Sequence, residues 1–173
     1  MKPVNDIFAD IVKKVSERYG SNVSFLFGDW AYISNQLTLW GKSPKTSKLK
    51  FPIICLYSPF TEDRSSAETE VSLEFIIMVN TLKGYSNEDR QKTSFEQVLR
   101  PIYNLFLDEI KKDINIVRSY NEVVPHSYIE NYRYGRVGVI GEDGKPFSDF
   151  IDAIEMKNVN LTIKEVKCYG NRL

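Results

Sequence analysis

From Glu70 to Leu82 the chain reads Glu-Val-Ser-Leu-Glu-Phe-Ile-Ile-Met-Val-Asn-Thr-Leu, and no other stretch limits the possible folds as much. Its odd positions, Val71, Leu73, Phe75, Ile77 and Val79, are all apolar. The even ones begin polar at Glu70, Ser72 and Glu74, then turn apolar at Ile76 and Met78. Alternation with a period of two identifies a strand with one face buried along its length. A second face that is wet at one end and dry at the other belongs to a central strand, open at the first end and covered at the second. The helix that follows is expected to supply the cover. Phe95, Val98, Leu99, Ile102, Phe106, Leu107 and Ile110 form its apolar stripe. Ser86 and Asp89 have capping-box spacing at its start, and Lys111 and Lys112 suit the dipole at its end. Pro101 falls inside the stripe and is expected to kink or split the helix, because it lacks an N–H and its ring crowds the preceding turn.

The chain before this unit begins with a second amphipathic helix over residues 4–19. Val4, Ile7, Phe8, Ile11, Val12 and Val15 line one face, and Gly20 suits a left-handed stop. Residues 23–27 and 30–33 are short aromatic and β-branched runs around Gly28-Asp29, and read as two strands joined by a tight turn. Residues 41–50 carry Lys42, Lys45, Lys48 and Lys50 with no acid. They read either as a solvated loop or as a partner-facing arm that orders on contact. Residues 51–57 are a continuous apolar run, a buried strand with Pro52 at its start. Residues 59–68, with Glu62, Asp63 and Arg64, read as a second exposed loop, joining that strand to the long one in antiparallel fashion.

The last third reads as β, with candidate strands at 114–120, 128–134 and 137–140 and turns at Gly135 and 141–144. Residues 154–163 alternate well but change phase at Lys157-Asn158, the mark of a bulge or of a strand crossing between neighbours.

A length of 173 residues suits one domain spanning 1–173, and 42% hydrophobic residues provide enough apolar area to offset the entropy of ordering. Basic and acidic residues balance at 23 each, which argues against a dedicated nucleic-acid binder resting on many uncompensated phosphate contacts. Cys55 and Cys168 with the single His126 cannot by themselves form a tetrahedral zinc site; buried free thiols in a reducing cytosol are the first expectation and a single disulfide the alternative. The N-terminal residues lack a continuous apolar segment of the signal-peptide kind, and no apolar run is long enough to span a bilayer. The expectation is a soluble intracellular protein, or one assembled inside a cell.

Catalytic patterns are present but thin. Asp143, Glu155 and Lys157 have the spacing of a Mg²⁺-dependent nuclease core, in which two carboxylates hold metal and a lysine steadies the attacking water. Glu165 and Lys167 repeat the E-x-K by chance, and Asp143 sits in a Glu-Asp-Gly turn whose geometry explains it. His126 beside Ser127 has no nucleophile elbow, so a structural histidine is expected. The glycines of residues 135–141 lack the strand-then-helix setting of a phosphate loop. Tyr128, Tyr132, Arg133, Tyr134 and Arg136 interleave aromatics with cations, a pattern that suits protein contact as well as base stacking.

The order of elements resembles the tail terminator (tail completion) proteins of long-tailed phages and prophages. The likeness rests on the N-terminal helix, on Phe25-Leu-Phe-Gly-Asp-Trp30, on Phe51-Pro-Ile-Ile-Cys-Leu56, on the long strand with its helix, and on the alternating segment 149–163. The resemblance implies an α+β fold, a mixed and mainly antiparallel sheet with two main helices packed on one face. It also implies a non-enzymatic subunit without cofactors, forming a ring, usually hexameric, in the virion tail and assembled in the bacterial host cytoplasm. Its partners would be copies of itself, the tail tube protein and a head-completion protein, with no membrane and no sequence-specific nucleic acid. On that reading Lys42, Lys45, Lys48, Lys50, Glu62, Asp63 and Arg64 lie at subunit or tube contacts. The alternatives are another head–tail connector or tube component, a metal nuclease, and a monomeric α+β adaptor.

Overall fold

The computed structural model describes residues 2–66, 68–117, 123–132 and 150–164. The long strand is β4 (Thr69–Asn80), and it lies at the centre of a mixed, mainly antiparallel sheet. The sheet order is β1 (Ser24–Gly28), β2 (Ile53–Tyr57), β4, β6 (Ile151–Ile163) and β5 (Ser127–Asn131). Among the described strands only β1 and β2 run parallel; β2–β4, β4–β6 and β5–β6 are antiparallel. A short strand β3 (Thr61–Asp63) pairs with β4 beyond the end of β2, so residues 59–68 are not simply a loop. Its polar side chains hid it, because an edge strand is held by its backbone and needs no apolar face.

α1 (Val4–Tyr19) buries the six residues of its expected stripe and ends at Gly20, whose φ of 79° is the left-handed stop. The second helical unit runs from α4 (Asn87–Arg90) through a π-helical segment (Gln91–Leu99) into α5 (Arg100–Lys112). Both hydrogen bonds of the Ser86–Asp89 capping box form. Pro101 neither splits nor ends the helix. The wider turn just before it lets the Arg100 N–H reach the Phe95 carbonyl, five residues back, and so absorbs the misfit within a continuous helical path. α1 and α5 pack on one face of the sheet, over Val71, Leu73, Phe75 and Ile77. Phe8 and Phe106 close on Phe75 at 4.7 and 5.1 Å between ring centroids.

The other face required the largest correction. Trp30 to Ile33 is the start of α2 (Trp30–Gly41), not a strand. Asp29 is its N-cap, accepting the Tyr32 N–H at 2.8 Å. A parallel β1–β2 pair cannot be joined by a hairpin; it needs a crossover, and α2 is that crossover. Trp30, Ile33, Leu37 and Trp40 form the stripe that packs on Ile53, Cys55, Ile76, Met78 and Ala153. α2, rather than the helix after β4, therefore covers the dry end of the even face. Glu70, Ser72 and Glu74 lie beyond its reach and are exposed.

In the last third, the phase change at Lys157-Asn158 is a bulge. Leu73 pairs with Val159 and Phe75 with Met156, so two residues of β6 oppose Glu74, and Asn158 takes φ 54°. The expected strand at 114–120 is reduced, within the described residues, to a bridge between Ile116 and Ile163. β5 covers the first part of 128–134. The strand expected at 137–140 and the turns at Gly135 and 141–144 lie outside the described residues.

Candidate functional site

The lysine-rich stretch is more ordered than a solvated loop. After α2, Pro44 opens a short helix α3 (Pro44–Ser47), and the Thr46 hydroxyl donates to the Trp40 carbonyl at 2.9 Å. The Ser24 hydroxyl donates to the Leu49 carbonyl at 2.5 Å, which ties the arm to β1. Lys42, Lys45 and Lys48 are exposed, while Lys50 is half-buried with its ammonium 5.8 Å from the centre of the Phe51 ring. The other group occupies β3 and its exit. Glu62 accepts from Arg64 Nε at 2.8 Å. Asp63 accepts from the Ser65 N–H at 2.9 Å, and the hydrogen bonds from Ser65 hold its carboxyl below the ordinary range.

These two groups are not brought together. Ile53, next to the arm, pairs with Met78, whereas Asp63 pairs with Glu70. Eight residues of β4 separate those positions, about 26 Å at the rise of a strand. The lysines and the acids thus mark opposite ends of the sheet.

Around the acidic end lies a surface that inspection of single residues missed. Thr61 and Asp63 of β3, Glu70, Ser72 and Glu74 of β4, and Asn160 and Thr162 of β6 share one face. They line a shallow cleft of about 360 Å³ that includes every one of these except Glu74. The wet half of the β4 alternation was its signal. On the opposite side of the sheet a groove of about 640 Å³ opens between α5, residues 123–125 and β6, lined chiefly by Ile110, Ile116, Val124, Pro125 and Leu161.

Few of the residues singled out for chemistry meet one another. Lys157 Nζ lies 3.6 Å from Glu155 and Asn131 donates to Glu155 at 3.2 Å, while Asp143 lies outside the described residues. No group of three or more His, Cys, Asp or Glu stands ready to hold a metal ion among the described residues. His126 is satisfied on both ring nitrogens, by Tyr103 Oη at 2.8 Å and the Val124 carbonyl at 2.7 Å. Tyr132 lies against Phe95 with centroids 4.3 Å apart, and Tyr128 donates to Glu130, so both serve packing and the ion pair described next. Arg133, Tyr134, Arg136 and residues 135–141 lie outside the described residues, as does Cys168. Cys55 is a free thiol inside β2, and burial pushes its ionisation up.

Two ion pairs escaped the sequence reading. Arg100 grips Glu130 through both carboxylate oxygens, at 2.8 and 3.1 Å, and holds the Glu130 carboxyl below its usual range. Arg90 and Asp152 are fully buried, 2.7 Å apart. Ser94 donates to the second Asp152 oxygen at 2.8 Å. Arg90 also donates to the carbonyls of Leu82, Tyr85 and Tyr132.

No protein-family model and no curated protein matches the sequence.

Proposed function

We propose that the chain is a structural subunit of a long-tailed phage or prophage. In this reading it forms a ring that caps the tail tube, ends tube polymerisation and presents the surface to which the head attaches. The observation that carries it is that both outer strands of the sheet, β1 and β5, expose large apolar side chains among the described residues. β1 and the start of α2 expose Phe27 and Tyr32, which are 48% and 45% accessible. β5 exposes Tyr128 and Ile129 at the other edge, 40% and 39% accessible. A ring is built from heterologous contacts, in which one surface of a subunit meets a different surface of the next. Two apolar edges formed by different strands of one sheet suit that requirement, and exposed aromatics are favoured at protein contacts.

The same contact repeated without closure gives an open filament, so a tube component or connector is the second reading. On either reading the partners are copies of the chain, the tail tube protein and, for the cap, a head-completion protein. Assembly would take place in the bacterial host cytoplasm and the product would reside in the virion tail, with no catalytic role and no cofactor. Light scattering with negative-stain imaging of the same sample, alone and with tube protein, tests the proposal. Discrete closed rings support it. Open filaments favour the tube reading, and a chain that stays monomeric under both conditions overturns both.

A further inference from the structure

We infer that the exposed acidic face of β3, β4 and β6 is the docking surface for the lysine arm at 41–50 of a second copy of this chain. The inference rests on the ring reading and names the charged contact between its subunits.

On the receiving surface, Asp63 and Glu70 are directly opposed across the β3–β4 ladder, and Glu74 follows two residues along the same face. Neither Glu70 nor Glu74 has an ion-pair partner among the described residues. Thr61, Ser72, Asn160 and Thr162 complete the face with hydrogen-bonding groups and add no cation. Lys157, at the bulge, has its ammonium 3.6 Å from Glu155, and Lys164, two residues past Thr162, has no ion-pair partner on this face among the described residues. Arg64 is held by Glu62. An ammonium from outside would meet Glu70 and Glu74, both exposed, on a face that offers them hydrogen-bonding neighbours.

The donor is present on the same chain. Lys42, Lys45 and Lys48 are exposed, lack ion-pair partners among the described residues, and stand in a stretch with no acidic residue. α3 and its hydrogen bonds to Trp40 and Ser24 hold the arm in place, so little ordering is needed on contact. The arm cannot fold back onto its own acidic face, because about 26 Å of strand separates the two ends. The complementarity is therefore between copies, and it is head to tail. The arm is anchored to β1 at one end of the sheet, and the acidic face lies on β3, β4 and the last part of β6 at the other.

The test is a charge swap on the full chain, with self-association followed by sedimentation velocity and folding checked by circular dichroism. K45E/K48E and E70K/E74K should each raise the dissociation constant at least about tenfold, as like charges are brought together. The combined K45E/K48E/E70K/E74K chain should return to within about threefold of the original, and raising salt should weaken the original assembly. Closed rings that form with unchanged affinity in both reversals overturn the inference and leave the ring reading standing. Failure of the combined chain to recover also overturns it. A parent chain that does not self-associate, alone or on tube protein, overturns the inference together with the reading beneath it.

Discussion

Arg90 and Asp152 carry the largest local stake in the molecule. Each has lost its water, and the loss is offset by hydrogen bonds to each other, to Ser94 and to the carbonyls of Leu82, Tyr85 and Tyr132. The cluster ties the turn after β4, the first helical turn of α4 and the exit of β5 to the start of β6. Asp152→Ala leaves a buried guanidinium unpaired and should cost about 3–5 kcal/mol in urea unfolding. Adding Arg90→Met should recover part of that loss, since it removes the stranded charge. Neither half of the cluster was read from the sequence, although a single acid inside the apolar run of residues 150–154 is a signal that calls for a partner. Arg90 sits in a polar stretch where an arginine needs no explanation, and nothing local marks a contact 62 positions away. Glu130 permits a test by pH. Its folded carboxyl titrates below the unfolded value because Arg100 favours the ionised form. Its stabilisation is thus complete above the ordinary carboxylate range and is lost as pH falls through the folded value. Glu130→Gln should cost about 1 kcal/mol at pH 7 and flatten the decline of the urea midpoint from about pH 5 downward.

At the scale of elements, Gly28 is the junction on which the β1–α2 crossover turns. Its φ is 149°, and a Cβ placed there would lie 2.7 Å from Tyr32 Cδ1. Gly28→Ala should therefore destabilise the fold by about 1–3 kcal/mol, read as a lowered melting midpoint with native secondary structure retained below it. α1 and β4 were plain in the sequence because each repeats its period over enough residues to exclude the other. The phase change at Lys157-Asn158 was plain for the same reason, but the alternation alone left a bulge and a crossing strand both open, and the register with β4 identifies the bulge. α2 was misread because residues 30–33 are aromatic and β-branched, and so look like a strand when taken alone. The stripe Trp30, Ile33, Leu37, Trp40 emerges only when residues 35–40 are included, and that segment is polar on its outer side. The π-helical segment before Pro101 had no signal beyond the proline, because the sequence shows the obstacle and not which way the helix relieves it.

For the whole molecule, the half-wet strand at its centre has become an axis with two different ends. α2 dries one end and the lysine arm extends from it; the other end is left open, polar and acidic. The helix after β4 was expected to dry the even face and instead covers the odd one, while the α+β class followed from the order of elements and the resemblance it carries. The function did not, since no catalytic constellation announces it and the proposed contacts are surfaces assembled from residues far apart in the chain. The account stands on those surfaces meeting head to tail and closing. Negative-stain imaging of the purified chain, with and without tail tube protein and paired with mass from light scattering, tests that most directly. The account predicts discrete rings of one size, alone or seated on tube ends. A chain that stays monomeric in both samples, or that grows into open filaments, would contradict it.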